Sequence, residues 1–219
     1  MMIDPQQWRA VDEFLVDTLI ESDATLDAAL AAQEQAGLPA IEVTPLAGKF
    51  LNLLIRLGGF NRVLEIGTLG GYSTIWMARA VGEHGLVTTI EAEPRNAEIA
   101  RANFEQAGVS AQVELLEGFA ADLLPTLSGP YDMVFIDADK ESNVFYLNEA
   151  ARLGRPGTLV VVDNIARSGR VADPDSDDTS VIGTRAGLAL LGDDPRFDAT
   201  ALQTVGLKDW DGLAIAILR

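Results

Sequence analysis

From Arg62 onward the chain alternates two textures, and this constrains the fold more than any other feature. Short, nearly continuous apolar runs occupy residues 63–66, 86–90, 113–116, 133–136 and 158–162. Segments of helical character lie between them, at 73–81, 93–107, 120–127 and 142–153. A strand that is apolar at successive positions, not alternate ones, is buried on both faces. Alternation with helices implies right-handed crossovers and a parallel sheet. The end of the chain departs from this rule. Residues 197–205 and 213–218 are separated only by a short polar stretch around Asp209-Trp210-Asp211-Gly212. That predicts a closing hairpin and an antiparallel last strand. The fold class is therefore α/β: a doubly wound, Rossmann-like sheet, mostly parallel with an antiparallel C-terminal strand, plus N-terminal helices.

The first third reads as helical. Trp8, Val11, Phe14, Leu15 and Leu19 form one apolar stripe, and Phe50, Leu51, Leu54, Ile55 and Leu57 a second that ends at Gly58-Gly59. Gly37-Leu38-Pro39 marks a turn between them. The expected organisation is one domain over 1–219, with a helical extension at 1–60 and an α/β core at 61–219. The 219 residues are enough for one large core. No internal repeat or low-complexity tract interrupts them.

Composition narrows the function classes. Acids outnumber bases 33 to 16, a formal net charge of −17. Such a charge repels phosphate backbones and anionic lipid, so neither nucleic acid nor membrane is an expected partner. There is no cysteine and one histidine, which excludes disulfides, thiolate metal sites and histidine clusters. The start MMIDPQQW lacks the basic residues and apolar run of a signal peptide, and no apolar stretch approaches a membrane span. A cytoplasmic location is the expectation.

In doubly wound sheets ligands collect beyond the carboxyl ends of the strands. After the first run comes Glu65-Ile66-Gly67-Thr68-Leu69-Gly70-Gly71-Tyr72-Ser73. Glycines admit a ligand close to the backbone, and the next helix start offers free amides. Leu69 breaks the dinucleotide pattern, which counts against an NAD-dependent oxidoreductase. Glu65 suits a ligand with an ammonium group. The alternative is a plain tight turn. Glu91 lies 24 positions beyond Gly67, where an acid commonly takes ribose hydroxyls. Glu117-Gly118-Phe119-Ala120, after the third run, would lie beside a nucleobase.

The fourth and fifth runs end in Asp137 and in Asp163-Asn164. Neighbouring strands are about 4.8 Å apart. Two carboxylates at matching ends must share a proton, bind a cation or contact a lysine, or else cap the following helices. With the amide of Asn164 they form an all-oxygen set suited to Mg2+, with Mn2+ or Ca2+ as alternatives. Lys140 follows Asp137 by one turn. It is a candidate general base, or a surface lysine paired with Asp139. His84 is expected to be exposed, Trp210 to pack under the hairpin, and the acidic stretch 173–178 to be a solvated loop.

These segments resemble the cation-dependent O-methyltransferases that use S-adenosylmethionine (SAM), the family that includes the catechol and caffeoyl-CoA O-methyltransferases. The resemblance rests on Val63-Leu64-Glu65-Ile66-Gly67 through Gly71-Tyr72-Ser73, on Phe135-Ile136-Asp137-Ala138-Asp139-Lys140, and on Val162-Asp163-Asn164 followed by Gly169. Gly48-Lys49-Phe50-Leu51 also resembles the family's entry helix. The resemblance implies that Asp137, Asp163 and Asn164 are metal ligands. It implies that Val43, Glu65, Gly67, Thr68, Ser73, Glu91, Ala120 and Asp139 line the SAM pocket. Asp137 and Lys140 would be the catalytic pair, with Lys140 as general base. The implied reaction is methyl transfer to a hydroxyl of a catechol-like phenolic small molecule, by a homodimer. Val43 stands where the family usually has a hydroxyl residue. Ile165-Ala166-Arg167-Ser168 replaces an aromatic-rich stretch, which disfavours a caffeoyl-CoA substrate. Methylation of a tRNA wobble uridine is the alternative within the methyltransferases, and the net charge disfavours it.

Overall fold

The computed structural model describes residues 5–219, so the first four residues of MMIDPQQW lie outside it. The chain opens with α1 (Pro5–Leu19). Two compact units follow from its contacts: residues 18–127, and residues 128–219 together with 5–17.

Residues 18–127 hold α2 (Ala24–Gln35), α3 (Pro45–Gly58), β1 (Arg62–Ile66), α4 (Tyr72–Val81), β2 (Leu86–Glu91), α5 (Pro94–Gln106), β3 (Val113–Glu117) and α6 (Ala120–Leu123). The strands are parallel in the order β3-β2-β1, with Glu65 level with Thr89 and Glu91 level with Glu117. β1 and β2 are buried almost throughout, as continuous apolar runs require. β3 differs. It is only half-buried because it ends this row of strands, and Glu114 on it is exposed. Ile55, Leu64, Ile75, Met77 and Ile90 are essentially inaccessible. Each such side chain contributes about 1.5–3 kcal/mol by leaving water. The helix expected at 120–127 stops at Leu123 and tightens to a 3-10 turn, since Pro125 has no amide to donate.

The second unit holds β4 (Met133–Ile136), α7 (Asn143–Leu153), β5 (Leu159–Asp163), α8 (Thr179–Asp193), β6 (Phe197–Gly206) and β7 (Asp209–Leu218). The order is β4-β5-β7-β6. β4 and β5 are parallel, and β7 is antiparallel to both β5 and β6. Parallel strands alternating with helices and an antiparallel close are the expected mixed Rossmann-like α/β class. Two helices have no counterpart in the apolar stripes. α2 is alanine-rich and begins where Asp23 accepts from the amides of Thr25 and Leu26. α8 carries glycines at 183, 187 and 192 and is capped by Asp178. α1 is helical as read, but none of its residues is fully buried.

Candidate active site

The turn after β1 carries the first group of candidate residues. Gly67 and Gly71 adopt φ +95° and +85°, a region that disfavours side chains. Gly71 is constrained twice, because a Cβ there would stand 2.4 Å from Phe104 of α5. Glu91 at the end of β2 fastens the turn. Its Oε2 accepts from the amides of Thr68 (3.3 Å) and Leu69 (2.7 Å). Its Oε1 accepts from the Glu93 amide (2.9 Å) and Asn96 Nδ2 (3.3 Å).

Glu65 is wholly buried, and three hydroxyls serve it. Ser73 donates to Oε1 at 2.5 Å, Thr89 donates to Oε2 at 2.7 Å, and Thr74 also donates to Oε2. The Thr68 and Thr89 hydroxyls are 2.5 Å apart. Glu65, Thr68 and Ser73 thus form one bonded cluster beneath the glycine turn. Val43 is buried immediately before Thr44, whose hydroxyl caps α3. Ala120 opens α6, half-buried, behind an exposed Phe119. A strand-end acid beside a glycine turn at positive φ fits an adenosyl ligand.

The ends of β4 and β5 carry the second group of candidate residues. Ile136 is level with Val162, so the next positions, Asp137 and Asp163, stand side by side. Lys140 Nζ donates to Asp137 Oδ1 at 2.9 Å, and the residue is only 7% exposed. It is therefore neither a surface lysine nor a partner of Asp139. Asp139 is exposed and accepts from the Tyr146 hydroxyl. Burial, and then that bond, raise the Tyr146 hydroxyl above its ordinary range.

Burial and, next, the facing Asp137 push the Asp163 carboxyl up to about 7. Lys140 and the Asn164 amide, which donates to Asp163 Oδ1 at 2.7 Å, pull it back only in part. Asp211 on β7 also raises it. Asn164 is held at φ +59°. Two side-by-side carboxylates, Asp163 raised by burial, with an adjacent amide oxygen fit a hard divalent cation. Among the described residues no group of three or more His, Cys, Asp or Glu is placed for a metal, so the candidate set is these two carboxylates and the amide.

Two supports of this group had no signal in the local sequence. Gly183 of α8 approaches so closely that a Cβ there would lie 2.3 Å from the Lys140 carbonyl oxygen. Asp211 Oδ1 accepts from the amides of Ala166 (2.9 Å) and Arg167 (3.2 Å), pinning the segment after Asn164. Ile165, Ala166, Gly169, Leu188 and Trp210 line a largely apolar cavity of about 370 Å³ beside that segment. Trp210 rests on Gly169 as part of the hairpin, its Nε1 donating to Gln203, and His84 is exposed.

A model of the O-methyltransferase family matches residues 19–216. The chain belongs to that family. It is 52% identical over 210 residues to the catechol O-methyltransferase of Mycobacterium tuberculosis, covering 95% of each. It is 46% identical to the catechol O-methyltransferase of Niastella koreensis, over 98% of this chain and 99% of that one. The structure of the Bacillus cereus O-methyltransferase in complex with SAH superposes with a TM-score of 0.97 at 45% identity, covering 99% of this chain and 100% of that one. The protein is thus a SAM-dependent O-methyltransferase, and the oxidoreductase reading is set aside. No helix among the described residues is long and apolar enough to cross a membrane.

Proposed function

We propose that this methyltransferase moves the methyl group of SAM to one hydroxyl of a catechol-like phenol, with a divalent cation held by Asp137, Asp163 and Asn164. One observation carries the reading: two carboxylates level on adjacent strands, short of donors, with a buried lysine on one of them. Two relatives of high identity and near-complete coverage bear the name catechol O-methyltransferase.

A free phenol has a pKa near about 10 and is a poor nucleophile at neutral pH. A divalent cation at this set supplies a Lewis acid that eases loss of the phenolic proton, and SAM supplies an electrophilic methyl group. The remaining work falls to the chain. Asp137 fixes the Lys140 amine within 2.9 Å, and Lys140, when its amine is unprotonated, would accept the phenolic proton. Glu91 holds the glycine turn against which the adenosyl group rests. Gly67, Thr68, Ser73, Val43 and Ala120 shape that pocket, and Asp139, bonded to Tyr146, is the remaining residue assigned to SAM. Aligning oxygen, methyl carbon and sulfur supplies the orientation term, since a dry, ordered pair reacts far faster than a dissolved one.

A single methyltransferase domain over 1–219 is part of the proposal, supported by the family match from 19 to 216. So is a homodimer, supported by α1, on which Val11 and Phe14 are 56% and 65% exposed. A cytoplasmic setting agrees with the need for SAM. The test is chelator treatment. Stripped enzyme should fail to methylate catechol and recover with Mg2+. Full activity after stripping would end the cation reading.

A further inference from the structure

The glycine turn after β1 is held from two directions. Leu69 sits at φ +51°, between Gly67 and Gly71 at +95° and +85°. A leucine in that region is strained, and such strain persists only where the surroundings enforce it. Glu91 enforces it from β2, through the amides of Thr68 and Leu69.

Asn103 of α5 holds the other side. The residue is 2% exposed, and its Nδ2 donates to the Gly70 carbonyl oxygen at 2.8 Å. The same Nδ2 donates to the Ala29 carbonyl oxygen of α2 at 3.4 Å. One amide group thus ties the turn to two helices. The packing around it is close. A Cβ on Gly70 would stand 2.2 Å from the Gln33 side chain of α2, and one on Gly71 would stand 2.4 Å from Phe104, the neighbour of Asn103. Gln33 in turn donates to Glu42 at 3.3 Å, the residue before Val43. The helices α2 and α5 therefore bear directly on the backbone of residues 70 and 71.

Asparagine is a costly residue for this place. A buried side-chain amide loses its water, and asparagine forms helix less readily than alanine or leucine. The other buried residues of α5 are Ala97, Ala100 and Phe104. An apolar side chain at 103 would continue that face. It could not hold the Gly70 carbonyl.

We propose that Asn103 is a positioning residue for SAM, keeping the glycine turn in the shape that receives the cofactor. A site already in its bound shape loses no affinity to rearrangement. Without the amide the strained turn relaxes, and affinity falls with the fraction of molecules in which the turn is formed. The inference rests on the reading that SAM lies against residues 67–71.

The test compares full-length wild type with Asn103→Ala, Asn103→Asp and Asn52→Ala. Asn52 is the control. It is 7% exposed, and its Nδ2 donates at 2.9 Å to the carbonyl oxygen of Trp76, outside the turn. Calorimetry gives Kd for SAH, which requires no acceptor. Steady-state assays with catechol and Mg2+ give kcat and KM, and denaturant unfolding gives stability. Asn103→Ala should raise Kd for SAH and KM for SAM by about tenfold. Its kcat at saturating SAM should stay within about threefold, and KM for catechol within about twofold. Asn103→Asp keeps the shape, lacks the amide donor and should lose at least as much affinity. Asn52→Ala should lose stability and still bind SAH within about twofold of wild type. Wild-type SAH binding in the Asn103 variants overturns the assignment, and so does an equal loss in Asn52→Ala. Should Asn103→Ala fail to fold, Asn103→Asp is judged by the same criteria. Failure of both to fold makes Asn103 a residue of the core alone and also overturns it. Glu91→Ala separates the proposal from the reading beneath it, because it removes the other hold on the turn. Weakened SAH binding there, with none in the Asn103 variants, ends the proposal and leaves the reading. Wild-type SAH binding in Glu91→Ala ends both.

Discussion

The two strand-end regions treat their carboxylates in opposite ways. After β1 and β2, Glu65 and Glu91 are saturated: three hydroxyls bond to one, two amides of the glycine turn and two further donors to the other. After β4 and β5, Asp137 and Asp163 face each other with a lysine and one amide between them, and Asp163 is driven up to about 7. A saturated buried acid is a girder that fixes backbone. An undersupplied one retains appetite for a proton or a cation. The same residue chemistry at the ends of parallel strands thus gives a fixed turn in one unit and an undersupplied carboxylate pair in the other.

The largest test of this contrast is Asp163→Ala. It should abolish detectable Mg2+ binding in calorimetry and stop turnover, while SAM titrates as in wild type. Unchanged Mg2+ affinity would make Asp163 a structural acid like Glu65. Next is Lys140→Ala, expected to lower kcat by about 10²- to 10⁴-fold with little change in KM for SAM. A small loss would return Lys140 to the role of counter-charge for Asp137.

On the saturated side, Glu65→Gln leaves the shape but turns an acceptor into a donor facing hydroxyl donors. It should cost about 1–3 kcal/mol in denaturant unfolding. Unchanged stability would show that the hydroxyl cluster is not what holds this turn.

The smallest effect concerns protons. A carboxyl raised to about 7 in the folded, cation-free protein is protonated below that pH, whereas the unfolded chain ionises near about 3.9. Folding therefore takes up a proton between those values, and cation-free stability declines as pH rises from 4 through 7. Cation affinity runs the other way and weakens as pH drops below 7. Mg2+ binding at pH 6 should release up to one proton, read from calorimetry in buffers of different ionisation enthalpy. No release would mean that Asp163 is already ionised when it meets the cation.

The fold was legible wherever apolar residues stood in unbroken runs. β1, β2, β4 and β5 fall within a residue or so of their runs. α2 and α8 were opaque because their inner faces are alanine and glycine, which leave no stripe. Asp137, Lys140, Asp163 and Asn164 could be found because a strand's end is where its periodicity stops and a polar residue begins. Their supports could not. Asp211 reaches Asp163 through the antiparallel pairing of β7, and Ser180 reaches Arg167 across a loop of 12 intervening residues. Nor could the reading tell that Glu91 would be tied to the glycine turn, because that bond depends on the register of β1 with β2.

The bare α carbon of Gly183 has a wider meaning for how such an enzyme can change. Helix α8 sets the depth of Lys140, the proposed proton acceptor. One added methyl group would wedge the lysine's backbone outward and detune the chemistry, with every conspicuous residue still in place. Divergence among catalysts built this way can begin on a hidden helix face, and their loss of activity can be written there as well.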